Sequence, residues 1–179
     1  MVRALGRPDT PAPRKDHQLD TRLLDEDAVM QICFLTDNLE HSIDWFADLT
    51  GKTPSHIGKS AAADVAKATY LGKPASITFR LALFRFSNID VEFLEPGPEP
   101  STWRDQLDEK GPGFHHFAFR TRNMTKRRAF LESKGHAMLQ HGEFEHGDGR
   151  YEYFDTTNPM GALIELLEWD NNKEEQAQR

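Results

Sequence analysis

Apolar and polar positions follow one another along the middle of the chain in a way that predicts a series of short strands. Residues 29–35 (VMQICFL) are apolar enough to form a buried strand. Residues 78–86 alternate between the two classes, and 90–95 have the pattern of the returning strand after a turn at Ser87-Asn88. Further strands are predicted near 114–120, 137–142, 150–154 and 162–168.

Helices are predicted where apolar residues recur on one face between capping signals. Asn38 can cap a helix that runs to about Thr50, with Gly51 at the place where helices commonly end. Asn123 can cap a second long helix, which Gly135 closes. The predicted helices cover about 39–50, 102–109 and 124–134, and the stretch 52–77 follows no clear pattern.

The predicted elements repeat the order βαβββ twice, and sequence matches support an internal repeat. Gln31 lies seven residues before Asn38, and His116 lies seven residues before Asn123. Each half also closes on nearly the same strand, VEFLE in the first and IELLE in the second. We therefore predict an α+β fold in which two repeated βαβββ modules form a cup of mixed sheet with helices outside.

The repeat also sets the predicted organisation of the chain. Residues 1–27 are polar, contain several prolines and lack any period, so they are interpreted as a flexible N-terminal arm. The repeat domain is predicted over 28–168, followed by a polar C-terminal tail over 169–179. Within the domain, module one covers 28–97, a linker helix lies in 98–112 and module two covers 113–168.

The composition narrows the kinds of partner that the protein can have. Its formal net charge of −7 disfavours binding along the phosphates of a nucleic acid. No apolar run approaches the length of a membrane span, and the first residues lack the apolar stretch of a signal peptide. Cys33 is the single cysteine, so no intrachain disulfide can form and a reducing compartment is favoured. A cytoplasmic protein with a small-molecule partner, and with neither nucleic acid nor membrane, is expected.

Four polar side chains occupy matching strand positions in the two predicted modules. Gln31 matches His116 in the first strands, and Glu92 matches Glu165 in the last strands. Because side chains alternate along a strand, the repeat directs all four into one cup. Each offers a lone pair, and a cation would compensate the buried carboxylates. The set predicts one divalent metal ion: zinc, nickel, cobalt, manganese or iron(II).

Each of these side chains also has an explanation that involves no metal. A single Gln or Glu in a strand usually lies on a solvated face, and a single His, such as His115 or His116, is more often a hydrogen-bonded core residue. The repeat-matched set of four favours the metal site over these explanations. Cys33 shares the predicted cup face with Gln31, but nothing in the sequence marks a base beside it, so it is interpreted as a packed core thiol.

The same segments resemble the vicinal oxygen chelate superfamily, which includes glyoxalase I, methylmalonyl-CoA epimerase, extradiol dioxygenases and bleomycin-resistance proteins. The resemblance covers about 28–168 and is carried by Gln31 with NLEHSIDWF, by VEFLEP, by HHFAF and by NPMGALIELLE. The epimerase-like glyoxalase branch is the most similar. The resemblance implies a homodimer and a metal held by Gln31, Glu92, His116 and Glu165.

The chain departs from the family's patterns at several positions. Leu35, Pro96 and Pro112 stand where glyoxalase I has the side chains that hold glutathione, which disfavours glutathione as substrate. Two-base epimerases carry a carboxylate at about the position of Arg80, and arginine cannot act as that base. Gln31 replaces the first histidine of the extradiol dioxygenases.

The resemblance implies a metal-dependent isomerase, epimerase or lyase that abstracts a proton next to a metal-bound carbonyl of a small oxygenated substrate. Glu165 is the expected base, and Glu92 is a ligand or a second proton carrier. Arg80 or Arg150 is expected to hold a carboxylate or phosphate of the substrate, with a surface salt bridge as the alternative role. An iron(II)-dependent dioxygenase and a non-catalytic small-molecule binding protein are the alternative functions.

Overall fold

The computed structural model describes residue 23 and residues 28–170. The predicted arm over 1–27, apart from residue 23, and residues 171–179 of the predicted tail lie outside the described residues. Among the described residues, no helix is long and apolar enough to cross a membrane.

Strands and helices alternate along the described chain. The strands are β1 (Gln31–Leu35), β2 (His56–Lys59), β3 (Thr69–Tyr70), β4 (Lys73–Pro74), β5 (Phe79–Arg85), β6 (Asp90–Pro96), β7 (Gly113–Arg120), β8 (Met138–Glu143), β9 (Gly149–Phe154) and β10 (Leu163–Trp169). The helices are α1 (Leu39–Thr50), α2 (Ala63–Ala66), α3 (Thr102–Lys110), α4 (Met124–Ser133) and α5 (Thr157–Met160). β10 extends through Trp169, one residue into the predicted tail.

The long helices begin and end where the sequence signals place them. The Asn38 side chain accepts a hydrogen bond of 3.0 Å from the backbone N–H of His41, which satisfies one of the free donors at the start of α1. Gly51 ends that helix with φ of 68°, a left-handed conformation that glycine adopts without steric cost. Asn123 caps α4 in the same way as Asn38 caps α1.

One ten-stranded sheet contains both modules, in the order β2-β5-β6-β1-β7-β10-β9-β8-β3-β4. β1 and β7 pair antiparallel at its centre. On each side the next strand pairs parallel, β6 with β1 and β10 with β7, and two antiparallel strands follow. From the central β1–β7 pair outward, the same succession of strand pairings therefore occurs in both modules. The predicted α+β fold of two βαβββ modules, curled into a cup with helices outside, is confirmed.

The segment without a clear pattern, 52–77, contains three short strands and one short helix. β3 and β4 form a hairpin that pairs with the edge strand of module two, with Thr69 opposite His141. A piece of the first module therefore extends the sheet of the second. Strands of two residues are too short to show a period, and glycine and proline interrupt the hairpin sequence, so the pattern could not predict them.

The two faces of the sheet are packed differently. On the outer face, the Phe46 ring of α1 packs against Phe84 at 4.8 Å and Phe93 at 5.2 Å between ring centroids. On the inner face, Trp103 of α3 packs against Tyr151 and Tyr153. Alternation along each strand sends one set of side chains toward α1 and α4 and the other set into the cup.

Candidate metal centre

All four side chains that the sequence predicts as ligands are buried and meet at the centre of the sheet. The Gln31 Nε2 atom donates a 2.8 Å hydrogen bond to Glu92 Oε2. The His116 Nε2 atom lies 3.1 Å from Glu165 Oε2 and 3.6 Å from Glu92 Oε2. The imidazole therefore stands between two carboxylates that come from the closing strands of the two modules.

The strand order explains why these residues meet. They lie on β1, β6, β7 and β10, which are neighbours at the middle of the sheet. Cys33 of β1 is opposite Glu92 on one side and opposite His116 on the other. In the next row, Gln31 is opposite Ala118, which is in turn opposite Glu165. The site is thus built across the junction of the two modules.

Two buried atoms of this cluster fit a cation. His116 Nε2 and Glu165 Oε2 have no hydrogen-bond partner among the described residues, although they lie 3.1 Å apart. The carboxylate oxygen is an acceptor, so the contact is favourable when Nε2 carries a proton or when a positive ion lies between the two atoms. Buried polar atoms without partners are costly, and a divalent ion would satisfy both. The donors that are present suit such an ion.

The electrostatics of the cluster favour protonation when no ion is bound. The pKa of Glu92 is raised to about 7, chiefly by burial, which the His116 charge opposes and the Glu165 charge reinforces. Burial alone would lower the pKa of His116, but the Glu165 and Glu92 carboxylates outweigh it and the pKa is raised. The cluster therefore holds positive charge readily, and a metal ion would compete with protons for the same atoms.

Tyr153 is a site residue that the sequence did not single out. It is the cross-strand neighbour of Glu165 on β9, and its ring centroid lies 5.0 Å from that of His116. Burial raises its pKa well above the usual value, and the Glu165 charge adds to the shift, so the hydroxyl stays neutral. The alternation in YEYF could have placed Tyr153 on the cup face, but only the pairing of β9 with β10 sets it beside Glu165.

Arg80, predicted as a substrate-binding residue, lies on the outer side of the sheet and does not line the cup. Its guanidinium bonds to Glu40 on α1, at 2.5 Å, and to Glu95. The next residue, Leu81, lines the cup instead. Because neighbouring residues of a strand point to opposite faces, a shift of one residue moves the arginine to the outer side.

Arg150 is also held away from the cup. It bonds to Glu168 at 2.6 Å and to Asp170, beyond the end of β10. Its neighbour Tyr151 lines the cavity. Both arginines form salt bridges, and neither lines the cavity.

The cup opens above the cluster as a cavity of about 440 Å³. Gln31, Glu92 and Glu165 lie on its floor. The walls are apolar and aromatic, formed by Leu81, Leu83, Leu94, Trp103, Leu167 and Trp169. Charged side chains at the rim come from both modules, with Lys59 and Arg85 from the first and Glu143, Glu145 and Asp148 from the second. This volume suits a small molecule with polar atoms at one end and an apolar body.

Comparison with known proteins identifies a family whose sequence model matches most of this chain. The sequence model of the Glyoxalase/Bleomycin resistance protein/Dioxygenase superfamily matches residues 30–154. That range holds the β1, β6 and β7 positions of the cluster and the paired central strands of both modules. No curated protein matches the chain by sequence.

Several solved structures share the fold at low sequence identity. Methylmalonyl-CoA epimerase from Mycobacterium tuberculosis matches with a TM-score of 0.61 and 21% identity, over 91% of this chain and 98% of that one. A variant of Streptomyces coelicolor methylmalonyl-CoA epimerase, in complex with 2-nitronate-propionyl-CoA, matches with 0.60 and 19%, over 80% and 98%. A hypothetical protein from Bacillus halodurans matches with 0.60 and 16%, over 82% and 96%.

Proposed function

Because the chain belongs to the glyoxalase, bleomycin resistance protein and dioxygenase superfamily, as its sequence resemblance predicted, we propose that it is a metal-dependent isomerase or epimerase. Its substrate is a small oxygenated molecule that loses a proton from carbon. The buried cluster of Glu92, His116 and Glu165 at the floor of an open cup supports this function most directly. The similarity in fold to methylmalonyl-CoA epimerases agrees with a proton-transfer reaction.

We infer that one divalent ion is held by Glu92 and His116, with Glu165 close by and a donor from β1. Gln31 is the β1 donor that the sequence predicts. When bound, the ion supplies positive charge beside a substrate carbonyl and makes the neighbouring C–H more acidic. The apolar walls exclude water from the floor, which strengthens every charge interaction there.

Glu165 is the proposed base. Its Oε2 atom is buried without a hydrogen-bond partner among the described residues, and its side chain lines the cavity floor. A carboxylate that is poorly solvated and faces the substrate can take a proton from carbon. Glu92 is the proposed second proton carrier, because a buried carboxylate that leaves the metal ion can take up a proton near neutral pH.

Hydrogen–deuterium exchange at carbon tests the proposed function. Metal-loaded protein in deuterated water should exchange a substrate proton in a panel of α-hydroxy ketones and acyl-CoA thioesters. Glu165→Gln should slow the exchange by about 100-fold or more, the usual range for loss of a general base. Glu132→Gln, on the exposed surface of α4, is the matched control and should change nothing.

Other results would contradict the proposed function or support one of the alternative functions. Absence of any exchange across the panel would remove the main support for an isomerase or epimerase. Oxygen uptake with catechols by iron(II)-loaded protein would indicate a dioxygenase, and ligand binding without metal would indicate a binding protein. The homodimer and the cytoplasmic location remain predictions from the sequence.

A further inference from the structure

The rim of the cup carries positive charge on one side and negative charge on the other, and we propose that Arg85 binds an anionic group of the substrate there, a carboxylate or a phosphate. This inference deepens the proposed function and rests on it for the reacting end of the substrate, which faces the floor. The sequence predicted Arg80 or Arg150 for such a group and did not single out Arg85.

The inner face of β5 directs Arg85 into the cup. Alternate residues of this strand line the cavity: Phe79, Leu81, Leu83 and Arg85. Leu83 is the direct partner of Glu92 on β6, and Arg85 lies two residues further along, a distance of about 7 Å. One small molecule can therefore contact both the guanidinium and the buried cluster at the floor.

Lys59 also lines the cavity but is directed differently. It is opposite Arg80, at the other end of the β2–β5 pairing from Arg85. Residues directly opposite each other on neighbouring strands lie on the same face. Since Arg80 lies on the outer face, the Lys59 ammonium is directed away from the floor. Among the described residues, Arg85 is therefore the better placed of the two cations for a substrate inside the cup.

The contacts of the Arg85 guanidinium leave donors for a ligand. Among the described residues its ion-pair partner is Asp90, with 3.5 Å between Nε and Oδ1, which is longer than the usual charge-assisted bond of about 2.7–2.9 Å. Arg80, in contrast, uses both terminal nitrogens for carboxylates. The terminal nitrogens of an arginine held through Nε match the two oxygens of a carboxylate or phosphate. Asp90 does not line the cavity.

His56 adds a polar ring to the same wall. It lies on the edge strand β2 opposite Leu83, diagonal to Arg85, and it lines the cavity. A Cβ atom added at Gly58 would lie 2.6 Å from His56 Nε2, so a side chain at that position would displace the ring. Glycine at position 58 therefore lets the imidazole lie along the cavity wall, where its N–H can donate to an anion.

The module-two side of the rim carries the same sign of charge as the proposed group. Glu143, Glu145 and Asp148 line the cavity there. Like charges facing each other across a binding site repel, and such repulsion selects one orientation of a charged ligand. The substrate is therefore bound with its anionic group toward β5 and its reacting end toward the floor.

Equilibrium binding of paired probes tests the assignment without relying on catalysis. Levulinate is compared with its neutral amide, and dihydroxyacetone phosphate with dihydroxyacetone, at low ionic strength. Tryptophan fluorescence of the full chain reports binding, because Trp103 and Trp169 line the cavity. Each anion should bind about tenfold more tightly than its neutral counterpart, the effect of one charge-assisted hydrogen bond. The preference should appear with and without zinc, because Arg85 lies outside the buried cluster.

Substitutions assign the preference to one residue. Arg85→Gln should remove the preference for the anions and leave the affinities for the neutral probes unchanged, which also shows that the cup is intact. Arg85→Lys should keep part of it, because the charge remains without the paired donors. Arg80→Gln is the matched control, on the same strand but the outer face, with a side chain 49% exposed against 47% for Arg85. That variant and Lys59→Gln should keep the preference.

The outcomes separate the anion site from the proposed reaction. Equal affinities for anionic and neutral probes in the wild-type protein would overturn the role of Arg85, as would no binding of any probe. Equal losses in Arg85→Gln and Arg80→Gln, or a loss in Lys59→Gln alone, would also overturn it. A preference that depends on Arg85 without deuterium exchange at carbon would support the anion site and contradict the proposed reaction. The probe pair with the larger Arg85-dependent preference distinguishes a carboxylate from a phosphate.

Discussion

At the scale of single residues, Tyr153 makes a contact whose removal should be measurable. It is the direct partner of Glu165 across β9 and β10, and both side chains are buried. A hydroxyl that donates to a buried carboxylate contributes about 1.5–3 kcal/mol, against about 0.5–1.5 kcal/mol for a neutral pair. We predict that the Tyr153 hydroxyl makes such a bond, so Tyr153→Phe should lower the free energy of unfolding of the metal-free protein by about 1.5–3 kcal/mol, measured by urea denaturation.

Tyr151→Phe is the matched control for that change. Tyr151 lies on the same strand face, but its neighbour across β9 and β10 is Leu167, which has no polar group. Its removal should cost about 0.5–1.5 kcal/mol. Equal losses for the two variants would show that the Tyr153 hydroxyl has no special contact with the carboxylate.

The cluster should also make stability depend on pH in a defined direction. Burial raises the pKa of Glu92 from 4.5 to about 7, and the two carboxylates raise the pKa of His116. A raised pKa means that the folded state binds protons more tightly than the unfolded chain. This stabilisation is complete below about pH 4.5 for Glu92 and is lost as the pH rises through about 7.

We therefore expect the Tm of metal-free protein to fall between about pH 5 and pH 8. The fall is measured relative to the Tm of the His116→Asn variant at the same pH. Zinc-loaded protein should not show this fall, because the ion replaces the protons and its affinity increases with pH. Calorimetry across the pH series measures both. An identical fall with and without zinc would argue against an ion at these residues.

At the scale of elements, the sequence patterns that predicted helices and strands correctly were local. The Asn38 and Asn123 caps and the alternation along the longer strands act within a few residues, so they could be predicted from the chain alone. The repeat then matched Gln31 with His116 and Glu92 with Glu165, which brought the predicted ligands together.

The contacts that the sequence could not supply depend on the register between strands that are distant in the chain. The pairing of Cys33 with His116 is set where β1 meets β7, and that of Tyr153 with Glu165 is set where β9 meets β10. The position of Arg80 could not be predicted for the same reason. A shift of one residue along β5 moves a side chain from the cup to the outer face. No short pattern fixes such a register.

α1 packs on the outer face of the sheet, on the side opposite the site, and a substitution can test how much this packing stabilises the fold. Phe84 of β5 is fully buried against Phe46 of α1, and its removal leaves a cavity. We expect Phe84→Ala to lower the free energy of unfolding by about 3–5 kcal/mol, measured by urea denaturation. Trp45→Ala on the same helix should change it by less than about 0.5 kcal/mol, because Trp45 is 55% exposed.

At the scale of the whole molecule, the two modules are joined at the place where the ion would bind. Of the strands that carry the buried cluster, β1 and β6 belong to the first module, and β7 and β10 belong to the second. The β3–β4 hairpin strengthens this connection, because it leaves module one and pairs with β8 at the far edge of module two. Binding at the centre should therefore stabilise both modules together.

Hydrogen–deuterium exchange of the backbone amides tests this coupling. Zinc at about 100 times its Kd should stabilise the folded state by about 2.7 kcal/mol, since a ligand that binds only the folded form shifts the unfolding equilibrium. Protection should rise by a similar factor in β6 and in β10, which lie on opposite sides of the β1–β7 pair. Removal of the metal with a chelator should reverse the effect in both strands. Protection confined to one module would mean that the halves open independently and that the ion is held by one of them alone.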